Sequence, residues 1–310
     1  MSVTAVVDLV ISLAASTLRI STPIALAATG ETYSERAGIV NLGLEGQLLI
    51  GAFAAVLGSH YSGSPYVGML LAMAAGLLAG WLHVLFVVRF RANQIVMGVG
   101  MNIFALGLTT IGLQTIWGNR GKSDTVTGFP PINLDWLDSI PVIGPILNGH
   151  TLIVYLMLLI AVLSWYVLFR TKIGLRLRVV GENPRAADSV GINIDRIKFW
   201  AVCVGGMLSG LGGAYISLSD LSLFSRNMSA GRGYIALAAC ILGNWNPLGA
   251  LGGAMIFGFL GALQIRLQAT KFPTQFIQMI PYVLVIVIVA GVVRRVRPPG
   301  AVGEIYEHGA

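Results

Sequence analysis

Residues 151–169 read TLIVYLMLLIAVLSWYVLF, an unbroken apolar stretch without an acidic, basic or amide side chain. A run of about 20 apolar residues is what a helix needs to cross roughly 30 Å of hydrocarbon. Comparable runs lie near 5–28, 40–58, 65–88, 94–117, 198–219, 233–266 and 275–293. The 310-residue composition agrees: 55% of residues are hydrophobic, 39 are glycine and 11% are charged, where a soluble domain carries about 25% charged residues. These features predict an all-α polytopic membrane protein forming one transmembrane domain over 1–310. They exclude a soluble enzyme, a disulfide-stapled secreted domain and a disordered chain. A membrane β-barrel is excluded too, because its strands alternate over roughly ten residues. The N-terminus has no basic region or small-residue cleavage site, so the first apolar segment is expected to be retained.

The run at 233–266 is too long for one crossing, since a helix of that length would extend about 51 Å. Gly243-Asn244-Trp245-Asn246-Pro247 lies at its centre, and a turn-forming run ending in proline breaks helical hydrogen bonding. Splitting the run there gives about nine spans. Orientation follows from the basic residues, which mark cytoplasmic segments. Residues 170–198 hold Arg170, Lys172, Arg176, Arg178, Arg185, Arg196 and Lys198; Arg89 and Arg91 fill a short turn; Arg294, Arg295 and Arg297 follow the last span. The 118–150 loop, with Arg120 and Lys122 against Asp124, Asp135 and Asp138, is assigned outside. Both 170–198 and the C-terminal basic cluster then face inward, which requires an even number of crossings between them. The split supplies four. Walking backward places the N-terminus outside, unless segment one is re-entrant.

The long cytoplasmic loop at 170–198 has helix grammar. Asn183 suits an N-cap, Pro184 the first helical position and Gly191 a left-handed closure. A two-turn helix of this kind needs packing or a partner to persist. It reads either as a solvated topology signal or as a docking helix. GLRLRVVGENPRAADSVGIN, residues 174–193, is similar to the coupling-helix stretch of permeases in ABC importers of the branched-chain amino acid and simple sugar class. TGETYSERAGIVNLGLEGQLLIGAFAA at 29–55 resembles the nucleoside and purine branch of that family. NQIVMGVGMNIFALGLT at 93–109 and RGYIALAACILGNWNPLGALGGAMIFGFL at 232–260 resemble two further blocks.

The resemblance implies the shorter permease subunit of a nucleoside-type importer in the bacterial inner membrane. Its partners would be a separate ATPase, a second, dissimilar permease, and an extracytoplasmic binding protein or lipoprotein. Gly181, Glu182, Asn183, Pro184, Arg185, Ala186, Ala187 and Asp188 would then couple the chain to the ATPase. ATP would be bound by that partner and no cofactor by this chain. Consistent with this, Gly118-Asn-Arg-Gly-Lys122-Ser123 ends like a phosphate loop, but Ile116 stands where its first glycine belongs.

Polar groups at membrane depth are candidate path residues. Asn41, Glu45 and Gln47 open the second span, and Asn102 and Gln114 lie on the fourth. They read first as interhelical hydrogen-bond glue and, as the alternative, as lining for a neutral, hydroxyl- and amide-rich substrate. Asp8 and Arg19 share a face of segment one, and Arg19 is expected to pair with Glu45 or a carbonyl. Gly76/Gly80, Gly206/Gly210 and Gly249/Gly253 are GxxxG packing pairs. Cys203 and Cys240 read as buried free thiols, and no metal-ligand spacing is present. The positive charge is read as topology and docking surface, with no nucleic-acid partner. A sugar permease, or a secondary transporter with coupling carboxylates in its spans, are the competing functions.

Overall fold

The computed structural model describes residues 3–134, 143–268 and 297–304, together with Met279 and Val283. The expected span at 275–293, the arginines at 294 and 295, Asp135, Asp138 and His308 fall outside the described residues. Within them the chain is all helical: α1 Val3–Arg36, α2 Leu44–Ser62, α3 Pro65–Val84, α4 Gln94–Trp117, α5 Ile143–Leu147, α6 Leu152–Arg170, α7 Lys172–Glu182, α8 Pro184–Ser189, α9 Ile194–Ala214, α10 Arg232–Leu242 and α11 Pro247–Leu267. α3 and α9 each run on into a π-helical turn, Leu85–Arg89 and Tyr215–Asp220. Six of the helices are long and apolar enough to cross a membrane, and α2 adds a nineteen-residue helix with a polar start.

Local chemistry sets the boundaries. Asn93 Oδ1 accepts from Ile95 N at 3.0 Å and Val96 N at 3.2 Å to open α4, and Asn193 Oδ1 accepts from Arg196 N at 2.9 Å to open α9. Asn246 caps α11 ahead of Pro247, accepting from Leu248 N at 3.0 Å. Each asparagine satisfies amide donors that a helix start leaves without intrahelical partners.

Two expectations are corrected. Segment one does not stop near residue 28, because α1 continues through Glu31 and Glu35 to Arg36 with Pro23 inside it. It is therefore one continuous helix and not a re-entrant segment. The 233–266 run does break at 243–246, yet α10 has only 11 residues. At 1.5 Å per residue that is about 16 Å, half a membrane crossing. The outer half of this crossing is the non-helical stretch 221–231, which pairs with the outer loop: Ser123 N donates to Phe224 O at 2.8 Å, Val126 N to Ser222 O at 2.8 Å, and Arg226 N to Gly121 O at 2.8 Å. The turn after α10 meets the cytoplasmic end of α1 (below). The chain thus passes from the end of the bundle that carries residues 118–134 to the end that carries Arg36 as loop plus half-helix.

The core forms around α9, which is buried over 89% of its apolar stretch against 22% for α4. Its glycines admit neighbouring backbones. A methyl group at Gly206 would overlap the Gly76 carbonyl and lie 2.9 Å from Gly80 Cα on α3, and one at Gly205 would lie 2.8 Å from the Gly30 carbonyl on α1. Gly213 abuts the Leu48 carbonyl on α2. On the outer side Phe53 meets Phe224 at 5.2 Å and Trp117 at 6.2 Å between ring centroids, closing that end of α2 and α4. By contrast Gly100 and Gly107 on α4 face open space. Gly206→Leu should lower the thermal unfolding midpoint in detergent, in line with the roughly 1–3 kcal/mol penalty of overpacking. Gly100→Leu should leave it unchanged or raise it slightly, since leucine is the better helix former. A fluorescence-detected thermal shift on both variants measures the contrast.

Candidate functional site

Four of the five sequence-chosen path residues meet where the α1–α2 turn, α2, α4 and α10 converge. Asn41 and Gln47 are buried and amide-paired: Asn41 Nδ2 donates to Gln47 Oε1 at 3.0 Å and Gln47 Nε2 donates back to Asn41 Oδ1 at 3.4 Å. Asn102 reaches from α4 to accept from Gly46 N at 2.8 Å, while its Nδ2 donates to Leu42 O at 3.0 Å and Tyr234 Oη at 2.9 Å. Asn102 lies eight residues into α4, about 12 Å from its cytoplasmic end. Gln114 is elsewhere: it is exposed near the outer end of α4, where its Nε2 donates to Gly118 O at 3.5 Å.

Glu45 supplies the principal electrostatic contact. Its Oε1 accepts from Gly231 N and its Oε2 from Gly233 N, both at 2.8 Å. These amides open α10, whose own N-cap residue, Gly231 at φ 83°, has no side chain to offer. A buried helix start exposes unsatisfied donors and a partial positive charge, and a carboxylate from a different helix satisfies both. Glu45 does not pair with Arg19, whose guanidinium donates to Ser16 Oγ at 3.3 Å on its own helix. The positive end of the half-helix is therefore already occupied by the protein's own anion, and the site has no call for an anionic ligand there. Tyr234, one helical turn into α10, stays about half exposed beside Asn102. Together they form the open polar edge of this junction.

Toward the cytoplasm the junction rests on residues that sequence reading passed over. Glu31 is fully buried, and its Oε1 accepts from Asn41 N at 2.9 Å, which holds the α1–α2 turn. Glu35, one turn further along α1, accepts from Trp245 Nε1. Arg36 closes the far end of α10, donating Nε to Trp245 O at 2.9 Å and Nη2 to Asn244 O at 3.2 Å. Asn244 and Trp245 both hold left-handed backbone, φ 54° and 52°. Both ends of the half-helix are thus capped from other elements, Glu45 at one and Arg36 at the other. The signal in the sequence was Glu31 and Glu35 spaced i, i+4, with no proline or glycine between Gly30 and Gly38.

The cytoplasmic loop holds two helices. α8 is the short helix of the sequence reading: Asn183 Oδ1 accepts from Ala186 N at 3.1 Å, Pro184 takes the first position, and Gly191 at φ 76° closes the turn with its N–H on Asp188 O at 2.9 Å. Ala187 is buried against Val180 and Ile194, while Arg185, Ala186 and Ser189 are exposed. α7, which sequence reading left as loop, is the base. Its Gly181 fits against the Arg36 carbonyl where a side chain would collide, and Arg178 at 5.1 Å and Arg36 at 5.6 Å both lie over the Phe169 ring. Residues 297–304 cross the same surface. Ala301 N donates to Gly181 O at 2.9 Å, Gly303 N to Gly38 O at 3.2 Å, and Arg297 N to Asn244 Oδ1 at 3.4 Å. One short strap thereby joins the root of α8, the α1–α2 turn and the α10–α11 turn. Among the described residues no group of three or more His, Cys, Asp or Glu is placed to hold a metal.

The family described as branched-chain amino acid transport system / permease component matches residues 13–289. The guanosine ABC transporter permease protein NupQ of Bacillus subtilis is 38% identical over 305 residues, 95% of this chain and 96% of that one. The nucleoside ABC transporter permease protein NupC of Lactococcus lactis is 38% identical over 303 residues, covering 94% and 95%. A solved structure described as an inward-facing metal-chelate type ABC transporter shares the fold at TM-score 0.54 and 17% identity, covering 90% of this chain and 85% of that one.

Removing the Glu45 carboxylate strands two amide donors, each worth about 1–3 kcal/mol when buried. Glu45→Ala should therefore lower the unfolding midpoint markedly, with Glu45→Gln intermediate because its amide oxygen still accepts one bond. Hydrogen exchange at 231–242, read by mass spectrometry, should rise in the same order.

Proposed function

From its membership of the branched-chain amino acid transport permease family, we propose that this chain is the shorter membrane subunit of an ATP-driven importer for nucleosides or purine bases in a bacterial plasma membrane. The observation that carries the reading is the 38% identity over nearly full length to guanosine and nucleoside permeases, joined to a capped helix held out from the bundle on the basic side. In this reading a separate ATPase grips Arg185, Ala186 and Ser189. Because α8 sits on α7, and α7 on the Arg36 end of α1, its displacement passes directly to the turn between α10 and α11. Glu35 and Arg36 hold that turn, so the half-helix moves with the motor.

A second, dissimilar permease covers the exposed face of α4, the least buried of the spans. Substrate passes between the two subunits along Asn102 and Tyr234, with Asn41, Glu45 and Gln47 shaping the wall behind them. Amide and phenol groups suit a neutral ligand that both donates and accepts hydrogen bonds and presents a ring for stacking. The Glu45 carboxylate keeps the half-helix from attracting an anion. An extracytoplasmic binding protein or lipoprotein delivers the substrate, and ATP hydrolysis belongs to the partner.

Two measurements test the proposal. With the purified complex and its binding protein, guanosine and adenosine should stimulate ATP hydrolysis several-fold and ribose or glucose should not. Stimulation by the sugars alone would assign a sugar permease instead. Pro184→Gly with Arg185→Glu should abolish stimulated hydrolysis and weaken recovery of the ATPase with the permease, leaving the unfolding midpoint close to wild type. Full coupling in that variant would remove α8 from the mechanism.

A further inference from the structure

A cavity of about 650 Å³ opens beside the cytoplasmic loop, separate from the polar junction. Its floor is apolar and lies within three spanning helices, at Tyr33 of α1, Val167 of α6, and Ala201 and Val204 of α9. Val204 is ten residues into α9, about 15 Å along the axis. Its mouth carries Arg176 of α7 and Arg196 of α9, and no carboxylate lines it. Both arginines are exposed. Ile173 and Trp200, 70% and 65% exposed, stand at the rim. Tryptophan favours the membrane–water boundary, where its ring is buried and its N–H remains wet.

An apolar slot among spanning helices beneath a pair of exposed cations has the polarity profile of a phospholipid. Basic pockets between spans on the cytoplasmic side suit anionic headgroups. We propose that this cavity binds an anionic phospholipid, its phosphate between Arg176 and Arg196 and an acyl chain along Ile173, Trp200 and Val204. A docked protein fits less well. None of the residues of α8 lines the cavity, although the turn that follows it does at Val190–Asn193, and the floor lies among the spanning helices, where a cytoplasmic subunit does not reach. The bound lipid bridges α6, α7 and α9, so it steadies the platform on which α8 sits.

The test uses the full-length chain reconstituted with phosphatidylglycerol or phosphatidylcholine carrying brominated acyl chains. Fluorescence quenching that disappears in Trp200→Phe reports the site. Brominated phosphatidylglycerol should bind preferentially in the wild type. Each guanidinium near an anionic headgroup contributes about 1 kcal/mol, a factor of about five. Arg176→Gln and Arg196→Gln should each weaken the preference about fivefold and the pair about 25-fold, whereas Arg226→Gln in the outer loop should not change it. Equal quenching by both lipids in the wild type, a preference that survives the double substitution, or displacement of the lipid by millimolar inorganic phosphate would each overturn the proposal. So would loss of ATPase recovery in the double variant with quenching unchanged, which would assign the surface to a protein partner. The wild-type comparison of the two lipids decides the matter even if the double variant fails to fold.

Discussion

The bundle depends on one helix being bare where its neighbours meet it. α9 presents Gly205 to α1, Gly206 and Gly210 to α3, and Gly213 to α2, so three other backbones come within touching distance of its own. In a bilayer the lipid tails are as apolar as any leucine, and helix association is driven by close packing instead of expulsion from water. Large side chains on α9 would hold its neighbours apart and forfeit those contacts. The glycine ridge turns α1, α2, α3 and α9 into a unit with little room to deform, and the less covered elements hang from that unit.

This division of labour explains where the polar junction lies. Glu45 stands at the start of α2, inside the rigid unit, and reaches outward to α10, which cannot cross the membrane by itself. Arg36 does the same from the end of α1. A short helix whose two termini are satisfied by other helices has a fixed orientation relative to them, and α10 also packs along its length on α1 and α11, with Ala236, Ala239 and Cys240 buried. Displacing α10 would break two amide–carboxylate bonds at one end and two guanidinium–carbonyl bonds at the other. Charge-assisted bonds of this kind are short and directional, so the half-helix is suited to discrete positions more than to gradual drift.

Much of this architecture was legible in residue order. Runs of apolar side chains marked the spans, Asn183-Pro184 and Gly191 marked α8, and the break at Gly243–Pro247 marked the α10–α11 turn. What resisted reading has physical causes. α1 overran its expected end because Glu31 and Glu35 looked like loop residues, and only their burial partners, Asn41 N and Trp245 Nε1, make them compatible with a helix interior. The half-length of α10 was missed because the run at 233–266 was divided into two spans although its first part, 233–242, is far too short to cross; the preceding Leu221–Gly231, with Ser222, Ser225, Arg226, Asn227 and Ser229, takes a non-helical path set by pairing with residues 121–126, a hundred positions away. The junction of Asn41, Glu45, Gln47 and Asn102 was found as a set, but its main counterpart, the bare amides of Gly231 and Gly233, carries no side chain to notice. Gln114 shares a helix with Asn102 and not its surroundings.

The strap at 297–304 has a consequence for biogenesis. A polytopic chain enters the membrane span by span from its N-terminus, so Gly38 and Gly181 are in place long before Ala301 and Gly303 are made. Their carbonyls must wait for the final stretch of the chain to be translated. Until it arrives, the base of α8 and the α1–α2 turn touch at Gly181 and the Arg36 carbonyl but lack the backbone hydrogen bonds from Ala301 and Gly303 that clasp them. The fastening of this face is thus the last step of folding, made only after every other described element has been synthesised.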